Sequence, residues 1–398
     1  MDYEALAQGH QIMTGNKGTY MTQVIRNCRR SGSIGCTIAA ACFLIAFHAK
    51  AADPPGSVPT PLGSESSALE EIVVSAQRRD EELDKVPLSL TAFSEKTLDD
   101  LNIKSFSDLA SVVPGLVMTT TGAYAQANSD VAIRGIYSGG NSPTTAIYID
   151  ETPITIRQLN NASISGSPHP DIFDLDRIEV LRGPQGTLFG SSAMGGAIRY
   201  ITPQPGLDTA SGYTKEEVSY TDRGTPNYAV GVAYGAPIVQ GLAGFRLSAW
   251  YHSDGGFNDI EDPYNGKIVK PNANSSDAYV FRPAFTFAPT EGLTITPAVF
   301  YQHLHSDAPD TYWLTFIPNS DSGKHVAGDL LPQPVTDDLT VSSLAVKYEV
   351  SGMSLQSDTS YLARKYKNYD DWSHLIAPFF GGGHSCPPCL RSLPTITI

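Results

Sequence analysis

The sequence predicts a mainly β fold: part of a transmembrane β-barrel, preceded by a small α/β domain. Three observations carry that expectation. Hydrophobic residues make up 41% of the 398, yet no stretch after residue 50 supplies the run of about twenty apolar residues that a membrane helix needs. Beyond Gly212 apolar and polar residues alternate with period 2, the mark of strands whose two faces meet different surroundings. The connections between those strands alternate in length. They are tight near Gln240-Gly241, Thr290-Glu291-Gly292 and Ser351-Gly352, and long and polar over 255–277 and 306–337, the asymmetry of an outer-membrane barrel.

Taken in order, the chain opens on a processing segment. Arg26, Arg29 and Arg30 precede the apolar run Ile34 to Phe47 and then Ala49-Lys50-Ala51, so residues 1–51 read as a secretory signal region with a start at Met21. Cys28, Cys36 and Cys42 leave with that signal. Cys386-Pro-Pro-Cys389 lacks the βαβ surroundings of a redox motif and reads as a small loop disulfide of an oxidising compartment. Residues 52–86 are a linker, rich in Pro, Gly and Ser as far as Leu69. Within it the β-branched run Glu71, Ile72, Val73, Val74, Ser75, Ala76 is too short to fold alone. It is either a strand of the next domain or a peptide offered to a partner sheet by β-augmentation.

Residues 87–205 read as a compact mixed domain. The segment 88–93 alternates like a strand, Ser94 caps a helix carrying Leu98 and Leu101, and 105–113 repeats the pattern with Phe106, Leu109, Val112 and Val113 before Pro114-Gly115. Short strands follow at 131–136, 146–149 and 178–181. Residues 206–398 are the partial barrel, with roughly seven strands before residue 370. In the clearest of them Tyr279, Phe281, Phe285 and Phe287 share one face, while Val280, Arg282, Ala284 and Thr286 share the other. A soluble sandwich is the alternative, and strands of about ten residues with aromatic outer faces argue against it.

Composition and motifs narrow the function. A net charge of −14 gives no basic footprint for nucleic acid. The glycine-rich stretch 174–202 resembles a nucleotide loop at first sight, but it contains no lysine, and Gly183, Gly186 and Gly190 lack the G-x-G-x-x-G spacing. Glycines there serve positive φ and close backbone approach instead. No G-x-S-x-G or H-E-x-x-H motif is present, no cofactor is called for, and His303 and His305 read as strand-surface residues rather than metal ligands.

With those residues in view, "DLDRIEVLRGPQGTLFGSSAMGGAIRYIT" (174–202) resembles the closing segment of the plug domain of TonB-dependent outer-membrane receptors. "EIVVSAQRR" resembles their TonB box, "VPLSLTAFS" the plug start, "SFSDLASVVPGL" a plug helix, and "VAIRGI" and "AIYIDETPI" its middle strands, all in order between Glu70 and Thr202. Arg199 departs from the pattern, standing where the family often has Asn and placing a cation near the plug–barrel junction. The resemblance implies a plug inside a barrel of about 22 strands, so this chain reads as truncated. It implies a non-enzymatic receptor in the outer membrane, surrounded by lipid. Such a receptor imports a scarce substrate, above all a ferric siderophore, with energy relayed by TonB from the inner-membrane proton gradient. The alternatives are a non-transporting periplasmic or surface binding fragment, or a receptor for cobalamin or oligosaccharide. Its site residues would be Glu71 to Ala76 as the TonB box, Arg134, Glu179 and Arg182 as a reversible plug–barrel lock, and Tyr124, Gln126 and Asn128 as the substrate-facing plug apex.

Overall fold

The computed structural model describes residues 73–75, 81–82, 85–120, 129–137, 143–156, 167–262, 266–312, 325–329, 331–371, 390–392 and 396–397. The signal region, Glu71, Ile72, Ala76, the apex residues Tyr124, Gln126 and Asn128, and Cys386 and Cys389 lie outside the described residues.

A two-residue strand β1 (Val73–Val74) pairs antiparallel with β2 (Glu81–Glu82) ahead of the mixed domain. Strand β3 (Leu90–Ser94) runs into helix α1 (Glu95–Asp100), whose first turn is capped by the Ser94 hydroxyl accepting from the Thr97 N–H. Helix α2 (Phe106–Val112) starts with a reciprocal capping box between Ser105 and Asp108. Helices this short depend on caps and one packed face rather than on propensity. Leu98, Phe106 and Leu109 supply that face. Leu101 and Val112, expected beside them, are 51% and 38% exposed. Both fall where their helix ends, so the 3.6-residue period no longer turns them inward, and Val113 is buried instead.

A hairpin of β4 (Leu116–Thr120) and β5 (Ser129–Ile133) follows, then β6 (Thr145–Ile149), β7 (Thr152–Pro153), β8 (Arg177–Arg182) and β9 (Gly196–Ile201). The plug sheet has the order β3-β8-β9-β6-β7, with β6 and β9 parallel and the other neighbours antiparallel. Its central strands are buried on both faces, which explains their continuous apolar runs. Gly196 lets β9 begin hard against β8: at φ +153° a Cβ there would stand 2.1 Å from the Leu181 carbonyl oxygen.

Seven long strands then form one wall among the described residues: β10 (Ser211–Tyr220), β11 (Pro226–Val239), β12 (Ala243–Asp254), β15 (Ser276–Thr290), β16 (Leu293–Ser306), β18 (Val335–Val350) and β19 (Met353–Asp371). Each pairs antiparallel with the next. The long connections carry β13 (Asn258–Glu261), β14 (Ile268–Lys270) and β17 (His325–Ala327), which make a small sheet of their own. Short strands β20 (Leu390–Ser392) and β21 (Ile396–Thr397) pair with β19. The tight turns are built for hairpins: Ser351 and Gly352 both have positive φ, +48° and +78°. One connection departs from the expected alternation, because β10 and β11 are joined on the long-loop side by residues 221–225 alone.

Outward residues of this wall form two aromatic rows. Tyr228, Tyr251, Tyr279 and Tyr301 lie towards the long-loop end, and Tyr234, Phe245, Phe287 and Tyr348 towards the tight-turn end. Within the rows, Tyr228–Tyr251, Tyr279–Tyr301 and Tyr234–Phe245 have ring centroids 6.0, 5.9 and 6.0 Å apart. Paired girdles around an apolar band are how a barrel meets the two membrane interfaces. The inward face packs on the plug: Val280, Phe300, Leu339 and Val341 of the wall belong to the same buried cluster as Phe93, Leu109, Ile178 and Ile198.

Candidate functional site

Charge is concentrated in two places on the plug. On one face of β8 and β9, Glu179 and Arg199 are 0% and 1% exposed and directly paired, Arg199 Nη1 donating to Glu179 Oε2 at 2.7 Å. Arg177 Nε donates to Glu179 Oε1 at 2.8 Å, and Arg199 Nη2 reaches Glu151. Buried charges are tolerable only when paired and hydrogen-bonded in this way. The cluster also grips the segment ahead of the plug. The Ser75 N–H donates to Glu179 Oε1 at 2.8 Å, Arg199 Nη1 donates to the Ser75 carbonyl at 2.7 Å, and Arg177 Nη2 donates to the Ser75 hydroxyl at 3.1 Å. Val74 is fully buried beside Val86 and Ala92, while Val73 stays 46% exposed. Thus both main-chain groups of Ser75 are occupied, and Val73–Val74 already has β2 as a partner.

The second concentration joins plug to barrel. Asp174, 2% exposed on the plug, accepts from Arg246 Nε of β12 at 3.0 Å and from Arg246 Nη2, with Arg282 Nη1 of β15 at 3.7 Å. Arg282 Nη2 also donates to the Thr202 hydroxyl and to the Pro203 carbonyl, and Thr202 is held in turn by Asp150. Higher on the wall, Arg364 and Asp337 form a bidentate pair at 2.8 and 2.7 Å.

The expected lock residues do not act as one group. Glu179 and Arg182 are three apart on a strand and so point to opposite faces. The partners of Glu179 are Arg177, Arg199 and Ser75. Arg134, at φ +55°, lies over Gly183, where its Nη1 would be 2.9 Å from an added Cβ. Sequence reasoning did not single out Asp174, Arg246 and Arg282, whose contacts join plug and wall, although Arg246 and Arg282 were visible as lone cations on otherwise alternating strands. Arg199 turns inward to the Ser75 cluster instead of facing the barrel wall.

Above this region His169 and Asp171 of the plug face His252 and Asp254 of β12. The His169 ring stacks on Phe106 at 4.3 Å, and burial, helped by the Arg364 charge, lowers its pKa to about 3. Burial pushes the Asp171 carboxyl up, against the opposing pull of His252. His303 is engaged with Asp338 at 2.6 Å and stacked on Tyr279 on the outer face. Among the described residues no three His, Cys, Asp or Glu side chains are grouped to hold a metal.

Residues 82–197 match the family model described as the TonB-dependent receptor plug domain. The pesticin receptor of Yersinia pestis is 31% identical over 192 residues, 48% of this chain and 25% of that protein. The vitamin B12 transporter of Vibrio vulnificus is 28% identical over 205 residues, 49% of this chain and 30% of that protein. The chain therefore spans about a quarter to a third of the curated relatives it matches. Among solved structures, the ferric yersiniabactin uptake receptor of Yersinia pestis superposes with a TM-score of 0.57 at 23% identity, over 71% of this chain and 42% of that one. Two of these proteins are named receptors and one a transporter. Residues 82–197 thus match the TonB-dependent receptor plug domain, and the strands that follow share the fold of the ferric yersiniabactin uptake receptor.

Proposed function

We propose that the protein serves energised import across the outer membrane, taking up a ferric siderophore and drawing its energy through TonB. The observation that carries this reading is the segment Val73-Val74-Ser75, which among the described residues pairs with the two-residue strand β2 alone and is otherwise held to the plug by side-chain bonds to Ser75. A partner sheet can take such a strand by β-augmentation, with main-chain bonds for affinity and alternate side chains for specificity. Pulling it would draw directly on Glu179 and Arg199, hence on β8 and β9 at the centre of the plug. Glu71 to Ala76 is accordingly assigned as the TonB box. Asp174 with Arg246 and Arg282 is assigned as a reversible plug–barrel lock, with Arg134 and Arg182 as further plug cations for it. Tyr124, Gln126 and Asn128 are assigned to the substrate-facing apex, and residues 52–86, 87–205 and 206–398 to linker, plug and barrel. Siderophore cargo is supported by the name of the yersiniabactin receptor, and cobalamin is the second reading because a vitamin B12 transporter is 28% identical over 205 residues.

Deleting residues 71–76 tests the assignment. Energised uptake of a labelled ferric siderophore should stop while equilibrium binding to cells persists. Uptake that survives the deletion removes the TonB box from this segment.

A further inference from the structure

A cavity of about 540 Å³ lies between the plug and the long-loop half of the wall. His169 to Ile172 form its plug side, and Trp250, His252 and Asp254 of β12 face them, with Asp310 and Asp337 beyond. The charges around it do not balance. Both lysines of the lining are committed, Lys104 to Glu217 and Lys215 to Asp99. Asp337 is paired with Arg364. His169 is neutral, since burial holds its pKa at about 3. Asp171, Asp254 and Asp310 remain, and among the described residues none of them pairs with a lysine or arginine.

His252 does not make up the deficit. It stands between two of these carboxylates, with Nδ1 3.6 Å from Asp171 and Nε2 3.7 Å from Asp254, both too far for a hydrogen bond. Trp250 Nε1 can only donate, and it bonds to His252 Nδ1 at 3.3 Å. Nδ1 is therefore the acceptor, the ring proton sits on Nε2, and the imidazole carries no charge. Asp171 Oδ2 is left buried without a hydrogen-bond partner. The Tyr200 hydroxyl, fully buried and within the field of Asp171, has no partner either. Burial pushes the carboxyls of Asp171 and Asp310 up, so the plug carboxyl meets its deficit by holding a proton. A cation can take the place of that proton. No three acidic or histidine side chains are grouped for a metal ion among the described residues. The cavity does have room for an organic cation, and Phe106, Trp250 and Leu304 give apolar lining to its stem.

We propose that this cavity receives an ammonium group of the solute, with Asp171 as its counter-ion and Asp254 and Asp310 adding to the field. The proposal rests on the import reading and adds a chemical class to it, an amine-bearing cargo. Binding exchanges the proton of the Asp171 carboxyl for the ammonium, and the proton leaves to solvent.

Calorimetric titration of the purified full chain in detergent tests the site. The probe is 1,5-diaminopentane, and 1,5-pentanediol is the uncharged solute of the same length. Equilibrium binding needs neither TonB nor transport, so failure here is distinct from failure of the uptake experiment. The diamine should bind at least about tenfold more tightly than the diol, the order expected for a hydrogen bond to a charged group. Its affinity should rise between pH 5 and pH 8, and that of the diol should not. Asp171→Asn keeps the size of the side chain and should remove both the preference and the pH dependence. Asp254→Asn, on the wall instead of the plug, should weaken diamine binding about threefold, which keeps the test decisive if the plug variant does not fold. Equal affinities for diamine and diol overturn the proposal, as does diamine binding unchanged in the folded variants. Absence of diamine binding up to about 10 mM overturns it too.

Discussion

Arg199 and His169 show how much a single buried side chain decides in this plug. Arg199 neutralises Glu179 and Glu151 and also donates to the Ser75 carbonyl, so one guanidinium joins the plug core to the segment ahead of it. Replacing it with Ala leaves Glu179 buried with Arg177 as its remaining cation, at a cost of about 3 kcal/mol. Denaturant midpoints should fall accordingly, and a thiol at Ser75→Cys should label faster in the Arg199→Ala background than in the parent; equal labelling rates refute the grip. His169 makes stability depend on acid. Its folded pKa is about 3 against 6.5 for the free ring, so the unfolded chain binds the extra proton. Its contribution is fully present above about pH 6.5 and is lost as pH falls towards 3. The raised Asp171 carboxyl works in the opposite sense, favouring the fold at low pH and losing that contribution as pH rises through its folded pKa. His169→Phe keeps the stack on Phe106 and removes the titration. Between about pH 7 and pH 5 the variant should lose about 1–2 kcal/mol less stability than the parent, and identical pH profiles refute the assignment.

At the scale of the strand, period 2 made most of the barrel legible. Phe281 and Phe285 face outward and Arg282 and Ala284 inward, as the alternation requires, and the tight turns fall at the predicted Gly positions. Placing a lysine at Phe281, near the middle of β15 and 48% exposed on the outer face, should therefore cost about 2–4 kcal/mol in bilayers. The same change at Tyr228 or Tyr251, in the interfacial row, should cost less; equal costs would show that this face does not meet hydrocarbon. What could not be read locally was which inward charge meets which. Asp174 lies 72 residues from Arg246 in sequence, and only the fold brings them together. That Glu179 and Arg182 face opposite ways was legible, since they are three apart on a strand. The helices were placed correctly by their Ser caps, but Leu101 and Val112 were misassigned because a periodic pattern does not reveal the turn at which a short helix stops.

Across the molecule, plug and wall share one hydrophobic cluster, and this has consequences for how the protein opens. Leu339 is a barrel residue, 1% exposed, grouped with plug residues Ile178, Val180 and Ile198. If the two parts were separate folding units, a cavity in the wall would leave the plug untouched. With a common core, Leu339→Ala removes packing from both, at about 2–5 kcal/mol depending on how far the site collapses. Limited proteolysis should then show faster cleavage within residues 87–205 although the substitution lies in β18. Unchanged plug cleavage alongside a loosened barrel would establish that they fold independently. The shared core also bears on mechanism, because moving the whole plug out of the barrel exposes all of that apolar surface at once.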